Sequence, residues 1–227
     1  MPFLLDTSSA RRGVLVALSA TSVLAIGGCA TTMGRYSLEE GVRRLLEMST
    51  QRAFARLTQP GGFYDDQLTR IIVPDLGGQG SAIVSAILRT NAVRDRVGRA
   101  LNDVAVDLAD VAAPVVLDAV RSMSLADAVS VLRGGPTTAT DLLARNARSA
   151  VVEALLPGAL RALHSDLFEI LSTALSASSG RDLSAMADSV SGQIGDAIFR
   201  AIGREEAAIR ANPRETHDPV LIALLAV

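Results

Sequence analysis

The chain has no lysine and no tryptophan, one cysteine, two histidines, and aromatics at only 3% of its 227 residues. Each scarcity removes a class of chemistry. All 22 basic residues are arginine, so there is no Walker A lysine, no lysine for a Schiff base and no Ser-Lys dyad. The few aromatics offer no stacking platform for bases. Twenty-two cations against 24 acids give a net charge of −2. Phosphate backbones need an excess of cations, so nucleic acid is excluded as a partner. His164 and His217 have no second ligand at metal spacing, and His-Glu-x-x-His, Cys-x-x-Cys and Gly-x-Ser-x-Gly are all missing. No metal, no cofactor and no catalytic residue is expected.

What is present begins with the single cysteine. Cys29 follows an uncharged run, Gly13 to Ile26, which itself follows the pair Arg11-Arg12. As a helix, such a run reaches about 21 Å, short of a bilayer core, so it reads as a signal segment and not as a span. Ile26-Gly27-Gly28 supplies the bulky-small-small approach that lipoprotein signal peptidase accepts before a lipid-acceptor cysteine. The expectation is a lipoprotein signal over residues 1–28 with Cys29 as the lipidation site. An ordinary signal peptide with a chance cysteine is the plainer alternative. Ala30 stands where an aspartate would retain the protein at the inner membrane. In a Gram-negative cell the expected address is therefore the outer membrane, facing the periplasm. Arg11-Arg12-Gly13-Val14-Leu15 also resembles a twin-arginine export signal; a plain positive start for the general secretion route is the alternative.

From Cys29 onward 199 residues remain, with 20 arginines and 23 acids. That is enough for one domain with a real core, and with its only thiol lipidated it would hold no disulfide. Residues 29–36 read as a tether. Ser37-Leu38-Glu39-Glu40 reads as a capping box that starts a helix ending at Gln59-Pro60-Gly61-Gly62. Residues 63–80 read as irregular, with Ile71 to Pro74 extended, and Ser81 starts a short helix. Val97, Leu101, Val104, Leu108, Val111 and Val115 are spaced 4, 3, 4, 3, 4, which is one helical stripe. Pro114 inside it predicts a kink or a restart. Further helices follow Ser124-Leu125-Ala126-Asp127 and Thr138-Ala139-Thr140-Asp141, the latter bending at Pro157-Gly158. Ser176 to Arg181 is a loop, and Leu183, Met186, Val190, Ile194, Ala197, Ile198 and Ile202 mark a last long helix to Ala211. No segment alternates like a strand. The expected fold is all-α: one domain over residues 37–227, a bundle of about seven or eight helices.

Met123 to Thr140 reads MSLADAVSVLRGGPTTAT. It resembles the Met-Ser/Thr-x-x-Asp-Ala-x-x-Ile-Leu-x-Gly-Gly-x-x-Ala-Ala-Thr motif of the domain of unknown function 4197 family. Gly61-Gly62-Phe63, Pro74, Ala112-Ala113-Pro114 and the run Glu206, Ile209, Arg210, Asn212, Pro213 match in the same order. The resemblance implies a helical, exported protein of Gram-negative bacteria, often a lipoprotein, and implies no activity, substrate or cofactor. Val106 to Asp110 departs from the family's Asn-Arg-Ala-Ala-Glu. The apolar tail, Pro219 to Val227, departs from its basic ending.

Three polar groups remain. Asp103, Asp107, Asp110 and Asp118 fall on one helix face, which reads as solvated and not as a cation site. The Met123–Thr140 motif reads as a tight helix–loop–helix joint, with a free helix start after Gly-Gly-Pro as the anion-binding alternative. Glu206, Arg210 and Asn212 read as an ion pair and helix stop, or, buried against Asp127 or Arg133, as the lining of a polar site. The functional expectation is a lipid-anchored envelope protein without enzymatic activity, held to the membrane by Cys29 and binding an envelope protein or an apolar ligand between its helices. The alternative is a hydrolase-like envelope enzyme.

Overall fold

The structure, a computed structural model, describes residues 27–74, 91–164 and 181–225. By its internal contacts the chain divides into Met1–Ser37 and Leu38–Val227. The fold is all-α. The described residues form α1 (Gly27–Leu57), α2 (Asn91–Ser122), α3 (Ala128–Arg133), α4 (Thr138–Leu163), α5 (Arg181–Ala211), a 3-10 turn (Pro213–Thr216) and α6 (Pro219–Leu225). The described residues hold six α-helices, against seven or eight expected for the whole chain. Pro114 and Pro157 do not divide their helices; the helix expected after Ser81 lies outside the described residues, as does the loop expected from Ser176 to Arg181 except for Arg181, which is helical.

The first helix differs from expectation. Gly27 to Leu57 is helical throughout, so the helix does not start at Ser37, and the stretch from Thr31 to Tyr36 read as a tether has helical backbone. No proline interrupts this stretch, and Glu40 pairs with Arg44 at 2.9 Å one turn on. The far end matches the reading. Thr58 Oγ1 donates to the Phe54 carbonyl at 2.8 Å, and Gly62 N–H donates to Gln59 at 2.8 Å. Any Cβ on Gly62 would collide with the backbone oxygens of Arg56 and Leu57, so only glycine allows the chain to turn that closely against α1.

α4 is central, packed along α2 on one side and α5 on the other. Its buried line is Ala139, Leu143, Ala147, Val151, Leu155, Ala159 and Leu163, one residue in every four. At 100° per residue such a line advances about 40° per step, so it winds about 240° around the helix and faces both neighbours in turn. Alanines take alternate stretches of the line and let the helices approach closely. On α2 the buried face is also built from small residues: Ala105, Ala109 and Ala112 are fully buried beside Leu101 and Val116, while Val111 is 44% exposed. The expected Val/Leu stripe is therefore rotated toward alanine. On α5 Met186, Val190, Ile194, Ala197, Ile198 and Ile202 are all buried, as read from the sequence.

The tail packs on the domain. Asp218 caps α6, accepting from Val220 N–H at 2.8 Å and Leu221 N–H at 3.1 Å, and binds Arg44 of α1 at 3.1 Å. Leu221 is fully buried, and Leu224 lies in the space beside Gly41 where a larger side chain would stand.

Candidate functional site

α3 and α4 meet end to start around Gly134-Gly135-Pro136. The Asp127 carboxylate opens α3 by accepting from Ser130 N–H at 3.2 Å. Gly134 ends it, and a Cβ there would strike the Thr138 side chain. Thr137 occupies the cap position of α4 but its hydroxyl makes no capping bond. Instead it lies 3.2 Å from Asp141 Oδ2.

The free N–H groups of α4 are satisfied from a distance. Glu206, on α5 and 0% exposed, accepts from Ala139 N–H through Oε1 at 3.0 Å and from Thr140 N–H through Oε2 at 2.7 Å. A carboxylate at a helix start meets both the unsatisfied donors and the positive end of the dipole. Arg210, one turn further along α5, contacts Glu206 Oε1 through Nε at 2.8 Å and Nη2 at 2.7 Å. Its remaining donors close α3: Nη1 reaches the Leu132 carbonyl at 2.9 Å and Nη2 the Val131 carbonyl at 3.0 Å. One acid and one arginine thus cap the start of one helix and the end of another. The tight joint is what is observed, and the place that the alternative reading gave to an anion at the start of α4 is filled by the protein's own Glu206.

Of the five residues expected to form a polar site, Glu206 and Arg210 come together. Asp127 serves the opposite end of α3. Arg133 is exposed, and Asn212 is exposed at the start of the 3-10 turn without a side-chain capping bond. Asp103, Asp107, Asp110 and Asp118 are all exposed. Among the described residues no cluster of three His, Cys, Asp or Glu could hold a metal. His164 ends α4 and His217 ends the 3-10 turn at φ 55°. Gly27, Gly28 and Cys29 lie in helical backbone; Arg11, Arg12 and Ile26 lie outside the described residues. No described helix is long and apolar enough to cross a membrane.

Two features had no sequence signal. The first is a set of side chains that pin the segment from Phe63 to Pro74. The Asn102 amide, buried on α2, accepts from Ile71 N–H at 2.8 Å and donates to the Ile71 carbonyl at 2.9 Å. Gln193 of α5 does the same for Ile72 at 3.0 and 3.1 Å. The two amides take the place of a neighbouring strand. Asp66 turns the chain by accepting from Leu68 N–H at 2.9 Å and pairs with Arg204. The Arg204 guanidinium, then that N–H, hold the Asp66 carboxyl below its ordinary range.

The second is a half-open groove of about 720 Å³ over the α3–α4 joint. Leu38 of α1, Leu132 of α3, Ala207 of α5 and Leu224 and Leu225 of α6 line it, with Gly134-Gly135-Pro136 along one side. Arg210 reaches it with a guanidinium already bound to Glu206 and α3.

Comparison with known families gives one match. The model of the family described as "Protein of unknown function (DUF4197)" covers residues 32–226. No curated protein matches the chain, and no solved structure does.

Proposed function

Since the chain belongs to the DUF4197 family, whose description names no reaction, we propose from its own residues that it is a lipid-anchored cell-envelope protein that binds and does not catalyse. The observation that carries the binding reading is the use made of the motif's polar groups. Glu206 and Arg210 spend their hydrogen bonds on the ends of α3 and α4, and the space above them is walled by aliphatic side chains. Such lining suits recognition of an apolar group or a partner surface. A buried acid and its arginine partner that hold two helix ends are committed to the fold and not to a reacting molecule.

The anchoring part rests on Arg11-Arg12, the uncharged run and Ile26-Gly27-Gly28-Cys29. Two or more acyl chains on Cys29 would make the attachment stable, at about 0.8 kcal/mol per buried methylene. The address proposed is the outer membrane, with the domain on the periplasmic side. Cells fed radiolabelled palmitate test this: the wild-type chain takes up label that survives organic extraction and Cys29→Ala does not. Equal labelling of the two removes the anchor. Native mass spectrometry of the protein drawn from envelope extract tests the binding part, through a retained small molecule or a bound partner.

A further inference from the structure

The described lining of the groove over the α3–α4 joint has an unbalanced charge. Among its described lining residues there are two arginines and no acid. Arg210 is neutralised by Glu206 at 2.7 Å. Arg133, the last residue of α3, is exposed and has no ion pair or hydrogen bond among the described residues. The rest of the lining is Leu, Val, Ala, Gly and Pro. Val129, one turn before Arg133 on α3, adds an apolar rim that is 43% exposed.

We propose that this groove binds a single long-chain fatty acid, its alkyl chain along Leu38, Leu132, Ala207, Leu224 and Leu225 and its carboxylate on Arg133. The volume, about 720 Å³, lies in the range of small-molecule sites. An apolar trough with, among the described residues, one free cation at its edge is complementary to a molecule with one long apolar part and one negative head. The guanidinium fork matches the two oxygens of a carboxylate in a bidentate pair. A single guanidinium also balances a single negative charge, which favours a carboxylate over a doubly charged phosphate. This rests on the binding half of the function proposed above and is independent of the lipid on Cys29.

The test uses the full chain carrying Cys29→Ala, so that no covalent acyl group competes. Calorimetric titration with dodecanoate and with dodecanol separates head from tail. Dodecanoate binds at one site, and Arg133→Met weakens it about tenfold or more, the worth of a charge-assisted contact. Dodecanol binds more weakly than dodecanoate and equally to both proteins. Arg133 is exposed, so the variant keeps its fold, as its thermal melt will show. The carbon-13 resonance of carboxyl-labelled dodecanoate gives a second reading: bound to the parent chain it stays ionised to lower pH than when bound to Arg133→Met. The proposal is overturned if dodecanoate and dodecanol bind the parent chain alike, if Arg133→Met leaves dodecanoate affinity unchanged, or if neither binds. Palmitate labelling at Cys29 can fail while this binding stands, and the reverse, so the two ideas are read separately.

Discussion

Two irregular stretches of this protein are both tied to α5, the second with help from α2, and by opposite means. The joint between α3 and α4 is held by a charged pair, the buried Glu206 and the part-buried Arg210, whose donors and acceptors meet helix ends. The segment from Phe63 to Pro74 is held by neutral amides, Asn102 and Gln193, and by the surface pair Asp66–Arg204. In the joint, a carboxylate is taken out of water and met by two N–H groups and a part-buried guanidinium. In the segment, the backbone is satisfied without burying charge. The physical expectation is that the joint fails sharply when one partner is lost, whereas the segment loosens in steps.

The comparison can be broken at its strongest point first. Arg210→Met leaves the Glu206 carboxylate buried beside two N–H groups and no cation, and should cost about 3–5 kcal/mol in a denaturant titration. Glu206→Ala should cost a similar amount, and the double variant less than the sum, because neither charge is then stranded. Additive losses would mean that the pair is not a unit. Next, Asn102→Ala leaves the Ile71 N–H and C=O without partners and should cost about 1–3 kcal/mol. Hydrogen exchange should speed up at Ile71 while the amides of Ala139 and Thr140 stay protected. Loss of protection at both would show that the two regions open together.

The smallest effects concern surface charge. Asp66→Asn should cost under about 1 kcal/mol at neutral pH, as exposed pairs do. The folded Asp66 carboxyl lies below its ordinary value near 3.8. Its stabilising effect is therefore complete above that value and is lost as the pH falls through the lower, folded one. The variant should show a flatter loss of stability below about pH 4, and identical acid unfolding curves would remove Asp66 from the account. Asp107→Asn, on the solvated face of α2, should change stability by less than about 0.5 kcal/mol.

The same contrast explains what could be read from the sequence. α5 was legible because Met186, Val190, Ile194 and Ile198 repeat at helical spacing and are buried. The joint was partly legible: Asp127 and Gly134 act locally, within a turn of the backbone they serve. Its closure was not, because Glu206 lies 67 residues from Ala139 and no local rule pairs them. On α2 and α4 the reading favoured large side chains, whereas close helix approach buried alanines and left Val111 outside. Asn102 and Gln193 had no signal at all. An amide that pins a distant backbone looks, in sequence, like any polar residue on a helix. The start of α1 was misplaced because a capping box permits a helix start without requiring one.

The separation of Glu206 from Arg210 makes α5 a ruler. Four residues, a rise of about 6 Å, set the distance between the group that begins α4 and the group that ends α3. A single residue inserted between the two would turn one carrier by about 100° against the other, so that only one of the two helix ends could be held. At this point the chain's geometry depends on counting to four.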